Sequence, residues 1–510
     1  MTRTQTLTWF ARHELTLAWR DWAAMMAGGR TTRERAVTLI VLLFILGLHW
    51  MAYAILKPVF ERGVVLDQRS LIVLTATLLT TFSMMLSQAI EHVTRAFYAR
   101  ADLDLILSSP APSQHVFAIR IAALAATGAA MTALLAAPLV NTAVMLDGPR
   151  WLSAYALIAA IGALATSAAL AIAMTMFRLI GPKRTRLIAQ IFAAVIGAAL
   201  LIALQVFAVL AYGNLSRTAV LLSPEVTAMA PGADSLLWLP AQALLGEWHV
   251  ALLLLAAAIC LLILMTARYA PIFASHAIAA AGSTDRDDTI VASRRLRPFV
   301  KRTMAGALRY KEWMLLGRDP WLVSQTLMQI LYLLPPALLL WRDMGSDHAT
   351  HVILTPVLVM AFGQLAGGLS WLALSGEDAA DLIATAPLSE RAQLRAKVEA
   401  VLAVIAAGAL PFVASLAIFS VWGAVAAALG IAIASSSAIL IQMWFKVSAK
   451  RTMFRRRQTA SRAATFAEAF SSIFWAAAAG FAAYQSWFAI AFVLLALLTL
   501  GLTALIRPRA

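Results

Sequence analysis

Long apolar runs separated by short polar segments recur along the whole chain. A hydrocarbon core about 30 Å thick needs about 20 apolar residues of helix to cross it. The pattern therefore predicts an all-α integral membrane protein with twelve transmembrane helices. We place these spans at 36–56, 70–90, 116–146, 151–177, 187–212, 249–267, 321–341, 352–374, 398–421, 424–445, 465–484 and 487–506. Pro138 lies inside the third span, where it predicts a kink or a short break.

The positive charges lie mainly on one side of this predicted topology. With the N-terminus inside, the cytoplasmic segments carry 35 of the 41 Lys and Arg residues, as the positive-inside rule requires. Both termini are therefore predicted to lie in the cytoplasm, in a protein of the inner (cytoplasmic) membrane. The net charge of +16 and the basic run at 450–462 are interpreted as topology signals. Their expected partners are anionic lipid headgroups rather than nucleic acid.

Two similar segments precede the first and the seventh predicted span. "HELTLAWRDW" (13–22) and "KEWMLLGRDPW" (311–321) share a glutamate, an arginine and an aspartate at identical spacing. Apolar residues also recur every three or four positions from Leu7 to Met25, which is typical of an amphipathic helix in the membrane interface. The matched residues of these predicted interfacial helices are Glu14, Arg20 and Asp21 in the first copy and Glu312, Arg318 and Asp319 in the second.

Two acidic loops match in the same way, each between the second and third span of a group of six. "DLDLILSSPAPS" (102–113) and "DLIATAPLS" (381–389) both combine an aspartate, an apolar pair and a proline. The same alignment sets Arg120 against Lys397. The chain is therefore predicted to be two parallel six-span repeats, 1–273 and 303–510. A polar cytoplasmic linker at 274–302 joins them.

Each acidic loop has two interpretations. It is either a tight turn, in which the proline stops one helix and Ser113 or Ser389 caps the next, or a docking surface for a partner. The repetition of aspartate, apolar pair and proline favours the docking surface, since a turn alone does not require all three. The candidate docking residues are Asp102, Asp104, Leu105, Ile106, Leu107 and Pro110 in the first loop and Asp381, Leu382, Ile383 and Pro387 in the second.

The order of an interfacial helix, two spans, an acidic loop and four further spans resembles the permease half of type 2 ATP-binding cassette (ABC) exporters. "DLILSSPAPS" and "DLIATAPLS" are the motifs that match best, and the resemblance covers nearly the whole chain. It implies a fused twelve-span permease whose two loops dock on cytosolic ABC ATPase subunits, expected in two copies. The outer segment 214–247 resembles the family's re-entrant or surface helices, whereas only residues 485–487 connect the last two spans.

The sequence lacks the motifs that would give this chain chemistry of its own. It has no GxxxxGK[ST] phosphate-binding loop, no HExxH and no GxSxG, and its single cysteine, Cys260, lies in an apolar run. We therefore expect no enzymatic activity and no cofactor in this chain, with ATP and Mg²⁺ bound by the partner ATPase. The alternative is an ion-coupled secondary transporter, but the acidic residues lie in loops or near span ends, with Glu399 and Glu468 entering furthest. A membrane-bound enzyme is a third hypothesis, which lacks a catalytic cluster.

Uncharged polar residues inside the predicted spans, such as Asn141 and Gln442, are expected mainly to form hydrogen bonds between helices. A smaller set is a candidate lining for a pathway between the two repeats: Gln325, Gln329 and Gln364, beside Gly363, Gly367 and Gly368. An apolar interior with a few amide and hydroxyl groups suits an amphiphilic substrate.

Overall fold

The computed structural model describes residues 12–13, 16, 20, 34–63, 67–98, 113–213, 216–232, 234–272, 303–318, 331–335, 337–339, 342, 350–375, 385, 388–445 and 462–507. Every regular element in these ranges is helical. Ten of the described helices are long and apolar enough to cross a membrane. Such helices satisfy their own backbone hydrogen bonds, as lipid requires. The chain is thus a multi-pass, all-α membrane protein, and that part of the sequence prediction is confirmed.

The contacts between Cα atoms divide the chain into two compact units. Unit one is Met1–Leu204 with Ser216–Arg294, and unit two is Gln205–Leu215 with Arg295–Ala510. The division after residue 294 falls inside the linker predicted at 274–302. Residues 205–215, placed in the first repeat by the sequence, group with unit two. There the guanidinium of Arg342 donates to the carbonyl oxygens of Val209 and Leu210.

Nine α-helices with described bounds begin within unit one, six of them long. The first five are α1 Glu34–Glu61, α2 Gln68–Tyr98, α3 Ser113–Asp147, α4 Ser153–Ile180 and α5 Pro182–Tyr212. Three short helices follow, α6 Arg217–Leu221, α7 Pro224–Met229 and α8 Leu239–Leu244, and then the long α9 Trp248–Tyr269. The helix α3 continues through Pro138 without a break.

The core of unit one surrounds α4, which packs against α2, α3 and α9. Leu157, Leu170 and Met174 of α4 are almost fully buried, together with Ile90 of α2 and Phe117 of α3. Since burial on all sides leaves little room for polar groups, α4 is apolar around most of its circumference. Two of its buried hydroxyls are satisfied within the helix, since Thr166 donates to the carbonyl of Gly162 at 2.8 Å and Ser167 to that of Ala163 at 2.7 Å.

The segment between the short helices α7 and α8 is hydrogen-bonded to the start of α2. The side-chain amide of Gln68 donates to the carbonyls of Ala230 and Pro231 at 3.0 and 3.1 Å. One residue earlier, the Asp67 carboxylate accepts the backbone N–H of Ser70 at 2.8 Å and so caps α2. This hydrogen bond, with a further one from the Ser70 side chain, lowers the pKa of Asp67, because donors stabilise the ionised carboxylate.

Unit two contains α10 Met304–Arg318, α11 Thr350–Ser375, α12 Glu390–Phe419, α13 Val421–Trp444, α14 Arg462–Ala483 and α15 Phe488–Ile506. Its core lies where α11, α13 and α14 pack against one another. Leu354, Leu358, Leu369 and Leu372 of α11 and Leu416 of α12 are among its most buried side chains.

The twelve-span count and the repeat layout stay predictions. The span predicted at 36–56 lies within α1, but only part of this helix has described side chains. Most of the span predicted at 321–341 lies outside the described residues. The other ten predicted spans each correspond to one of the helices long and apolar enough to cross a membrane.

Candidate functional site

The candidate site is a cluster of charged side chains where α12 emerges from the second acidic loop. Ser389 is the N-cap of α12, and its hydroxyl oxygen accepts the backbone N–H of Ala392 at 3.3 Å. The predicted capping role of Ser389 is thereby confirmed. Glu390 lies in the first turn, where a negative charge complements the helix dipole. The loop that precedes Ser389 is therefore joined directly to a well-defined helix start.

A buried ion pair joins this helix to the predicted interfacial helix α10. The Glu312 side chain is 3% exposed, and its Oε1 lies 3.3 Å from Nζ of Lys397 on α12 and 3.2 Å from Nζ of Lys311. Lys397 also donates to the carbonyl of Ala373 at 2.6 Å. That carbonyl lies in the last turn of α11, where carbonyl groups lack partners within the helix. One ammonium group therefore connects α10, α11 and α12.

A second ionic contact lies beside the first. Nε of Arg309 on α10 lies 2.5 Å from Oε2 of Glu399, and Nε of Arg395 lies 2.7 Å from Oε1 of the same carboxylate. On α10 the cation Arg309 pairs with the anion Glu399 of α12, and the anion Glu312 pairs with the cation Lys397 of α12. Because the two pairs have opposite polarity, sliding α10 along α12 would bring like charges together. The cluster therefore fixes the position of α10 on α12 as well as its contact.

Several side chains of α10 are exposed, two of them aromatic. Met304, Tyr310 and Trp313 are 52%, 41% and 53% exposed, whereas Leu316 is buried. Tyrosine and tryptophan are favoured at the boundary between lipid and water. The interfacial position of α10 stays a prediction, whereas Arg309 and Glu312 hold α10 to α12 by charge.

The first repeat shows part of the corresponding arrangement. Arg120, which the alignment sets against Lys397, is 3% exposed near the start of α3. Arg20 occupies a helical, exposed position, whereas Glu14 and Asp21 lie outside the described residues. The structure therefore places a buried cation near the start of the helix that follows each acidic loop, Arg120 on α3 and Lys397 on α12, while the repeat itself stays a prediction.

Most of the predicted docking and lining residues cannot be compared with the structure. Arg318 is the last residue of α10, and Gln364 lies exposed on α11. The others lie outside the described residues: Asp102, Asp104, Leu105, Ile106, Leu107, Pro110, Asp319, Gln325, Gln329, Asp381, Leu382, Ile383 and Pro387. Their roles stay predictions.

Two of the three glycines named as candidates for the lining between the repeats, Gly363 and Gly367, pack against helices of unit two. A Cβ added to Gly363 would lie 3.1 Å from Oγ of Ser472 on α14 and 3.2 Å from Cβ of Ala434 on α13. A Cβ on Gly367 would lie 2.9 Å from Oε2 of Glu468 on α14. These glycines allow α11 to approach α13 and α14 closely, so their small size serves the core of one unit.

Two amides do form the expected hydrogen bonds between helices. Nε2 of Gln442 on α13 donates to Oε1 of Glu468 on α14. The hydroxyl of Tyr155 on α4 donates to Oδ1 of Asn141 on α3 at 2.8 Å. The first of these bonds also shows that Glu468 enters the apolar part of α14 as the partner of a buried amide.

A small cavity lies among the helices of unit one. A cavity of about 20 Å³ in unit one is lined by Gln88, His92 and Thr166 among apolar side chains, which is room for about one water molecule. Within the described ranges, no group of three or more His, Cys, Asp or Glu side chains could hold a metal ion.

The contacts of Arg309, Arg395 and Glu399 were not predicted from the sequence. Opposite charges spaced three or four residues apart occur in both segments just before an apolar run, as Arg309 with Glu312 and Arg395 with Glu399. Such spacing places them on one face of a helix. The complementary charges of the two segments were the signal that would have predicted these contacts.

Comparisons of this chain with protein-family models, with curated proteins and with solved structures find no match.

Proposed function

We propose that this chain is the membrane-spanning permease subunit of an ATP-driven exporter of the ABC type. It lies in the inner membrane with both termini in the cytoplasm, and it exports an amphiphilic substrate. ATP and Mg²⁺ are bound by separate cytosolic ATPase subunits, two per permease chain. These subunits dock on the acidic loops at 102–113 and 381–389, while the interfacial helices contact lipid headgroups.

The observation that carries this proposal is the charged cluster around Glu312 and Lys397. It ties the interfacial helix α10 to the first turns of α12, and α12 begins directly after the second acidic loop. A partner that pushes on this loop would therefore move α12, α10 and the end of α11 together. A simple turn between two spans has no need of a buried ion pair that connects three helices.

Such a partner must bind differently in its two nucleotide states. A ligand that binds two conformations equally shifts neither. We infer that closure of the ATPase dimer changes its docking on the two loops and tilts the units between inward and outward access. Export then follows from the coupling of ATP hydrolysis to that tilt.

The test is affinity purification of the tagged protein from its native membrane in mild detergent, with partners identified by mass spectrometry. Three forms are compared: the unaltered protein, a variant with residues 102–113 replaced by Gly and Ser, and the double variant Asp104→Ala with Asp381→Ala. Asp67→Ala is the matched control, because Asp67 is an exposed aspartate in a connection predicted to lie on the other side of the membrane.

We expect an ATPase with Walker motifs to co-purify with the unaltered protein and with Asp67→Ala. Its recovery should fall at least tenfold in the two loop variants, while their thermal unfolding in detergent stays unchanged. Recovery of the ATPase with the loop variants at the unaltered level would contradict the docking role. Failure to recover any ATPase under mild conditions would contradict the exporter proposal.

One observation favours the second candidate, an ion-coupled secondary transporter. Glu468 lies within an apolar helix and accepts a hydrogen bond from the buried amide of Gln442. Ionisable groups at membrane depth commonly mark ion pathways. This candidate predicts transport that persists without ATP, collapses with the ion gradient and is abolished by Glu468→Gln. The exporter predicts ATP-dependent transport that tolerates Glu468→Gln.

A further inference from the structure

The helices α2 and α11 each expose a methionine followed one turn later by a glutamine. In α2 these residues are Met84, which is 45% exposed, and the exposed Gln88. In α11 they are Met360, which is 38% exposed, and the exposed Gln364. The same separation of 276 residues relates the two methionines and the two glutamines. Residues four positions apart are neighbours on a helix surface, so each pair forms one face.

The packing of the residue just before each glutamine shows which way these faces turn. A Cβ on Gly197 of α5 would lie 2.8 Å from Oγ of Ser87 on α2. A Cβ on Gly363 of α11 would lie 3.1 Å from Oγ of Ser472 on α14. Successive residues of an α-helix point about 100° apart. Since Ser87 and Gly363 face a packed neighbour, the glutamines that follow them turn away from it toward the outside of their units.

Both glutamines lie at membrane depth. Gln364 is near the middle of the apolar helical range Val352–Leu374. Gln88 lies ten residues before Tyr98, the last residue of α2, or about 15 Å along the helix axis. The middle of a hydrocarbon core is about 15 Å from either boundary. A glutamine side chain is too short to reach the headgroups over such a distance.

Neither glutamine is used to hold helices together among the described residues. The amides of Asn141 and Gln442 make hydrogen bonds between helices, whereas the described contacts include no hydrogen bond to the amide of Gln88 or Gln364. Lipid tails offer an amide no partner, and an unsatisfied polar group in hydrocarbon is costly. Water or a polar solute is therefore the environment that suits both exposed amides.

Water has room beside Gln88. The cavity of about 20 Å³ in unit one is lined by Gln88, His92 and Thr166, which is space for about one water molecule. On the same face of α2, Thr77 and Thr81 lie two and three turns before Gln88, and their hydroxyls are exposed. A row of hydroxyl and amide groups along one side of a membrane helix is typical of a helix that borders water rather than lipid.

We propose that the face of Met84 and Gln88 and the face of Met360 and Gln364 each line part of a water-filled transport pathway, where the two amides contact the transported molecule. An uncharged amide both donates and accepts hydrogen bonds, so it suits a neutral polar group such as a hydroxyl or an amide. The adaptable thioether of methionine suits apolar surface. The ligand class is thus an amphiphile with a neutral polar part. This inference rests on the proposed transport function but not on its dependence on ATP.

The test is the reaction of single cysteines with water-soluble thiol reagents in native membrane vesicles, freeze-thawed so that the reagents reach both surfaces. In a Cys260→Ser background the variants are Met84→Cys, Gln88→Cys, Met360→Cys and Gln364→Cys. Two positions on each face keep the test open if one variant fails to fold. The reagents are an anionic sulfonate methanethiosulfonate and a neutral glucosyl methanethiosulfonate. Only variants with the unaltered elution and unfolding midpoint in detergent are compared.

Leu79→Cys and Ile433→Cys are the matched controls. Leu79 is 52% exposed on the side of α2 opposite Gln88, and Ile433 is 41% exposed in the middle of α13. Both are apolar side chains at membrane depth, and we expect lipid to cover them. A cysteine there is shielded from reagents that do not enter hydrocarbon, because the reaction needs a hydrated thiolate.

We expect cysteines on both faces to react at least tenfold faster than the two controls, and the glucosyl reagent to react at least as fast as the sulfonate. Reaction at the control rate would overturn the proposal, and so would fast reaction on one face alone. A sulfonate that reacts tenfold faster than the glucosyl reagent would overturn the neutral ligand class. Slow labelling together with co-purification of an ATPase would overturn this inference and leave the exporter proposal intact.

Discussion

The last long helix of each unit packs on a different neighbour. In unit one α9 lies against α4, the fourth span, whereas in unit two α15 lies against α14, the helix just before it in the chain. The connections explain the difference. About thirty-five residues with three short helices separate α5 from α9, while only residues 484–487 separate α14 from α15. A short connection makes consecutive helices antiparallel neighbours, and a long one lets the chain return elsewhere.

One close approach inside each unit involves the same two residue types. The second and fifth predicted spans meet through serine and glycine in both. In unit one a Cβ on Gly197 of α5 would lie 2.8 Å from Oγ of Ser87 on α2. In unit two the glycine is Gly363 on α11 and the serine is Ser472 on α14, so the two residue types have exchanged helices. A close approach of glycine to serine thus occurs in both units, whereas the last long helix of each unit packs differently.

The largest effect should come from breaking the ion pair that ties α10 to α12 in unit two. Glu312→Ala leaves the buried ammonium of Lys397 without its carboxylate, close to the partly exposed Lys311, which should lower the free energy of unfolding by about 3–5 kcal/mol. The measurement is thermal or denaturant unfolding in detergent. Glu390→Ala, exposed in the first turn of α12, is the control and should cost less than about 1 kcal/mol. Equal effects of the two substitutions would show that the ion pair of Glu312 with Lys397 does not stabilise the protein.

The second prediction asks whether unit one contains the same tie. Arg120 is 3% exposed and aligns with Lys397, and Glu14 aligns with Glu312. From the repeat we predict that Arg120→Glu destabilises the protein by about 3 kcal/mol. The added substitution Glu14→Arg should restore part of that loss. Unfolding midpoints of the two single variants and the double variant measure the coupling. Additive effects would show that the repeat in sequence does not extend to this contact.

These two predictions also mark how far sequence reasoning reaches. Apolar length and periodicity are sufficient to predict the long helices, and local chemistry is sufficient to predict the cap at Ser389. The alignment singled out Glu312 and Lys397 separately, but their pairing joins residues far apart in the chain and depends on how α10 folds back. Gly363 and Gly367 indicated a close helix approach correctly. A small residue carries no information about its partner, and the partner proved to be inside the unit.

The third prediction tests the shared contact between second and fifth spans. Gly197→Ala and Gly367→Ala would each place a methyl group within 3.0 Å of a neighbouring side-chain atom. Both should destabilise by about 1–2 kcal/mol through overpacking, because Oγ of Ser87 and the Glu468 carboxylate can rotate away, whereas Cβ of Ser87, at 3.0 Å, cannot. Unfolding of each variant in detergent measures this. Gly501→Ala, which has open space around it, should be neutral or slightly stabilising. If Gly197→Ala stabilised the protein, the glycine contact in unit one would differ from that in unit two.

The smallest effect concerns the connection to which we attribute the position of α15. Once folded, α15 is also held by its own contacts, since the ring of Phe481 on α14 lies 5.9 Å from that of Phe488 and 5.2 Å from that of Phe492. Loop closure depends only weakly on length, so inserting four Gly and Ser residues after Gln485 should cost less than about 1 kcal/mol. Hydrogen exchange of residues 488–506 should stay protected. If instead α15 loses protection, the short connection holds it in place continuously. Retained protection would mean that the short connection brings α15 to α14 during folding and that the aromatic contacts then hold it there. By the same reasoning, the long connection before α9 would explain why α9 packs against α4.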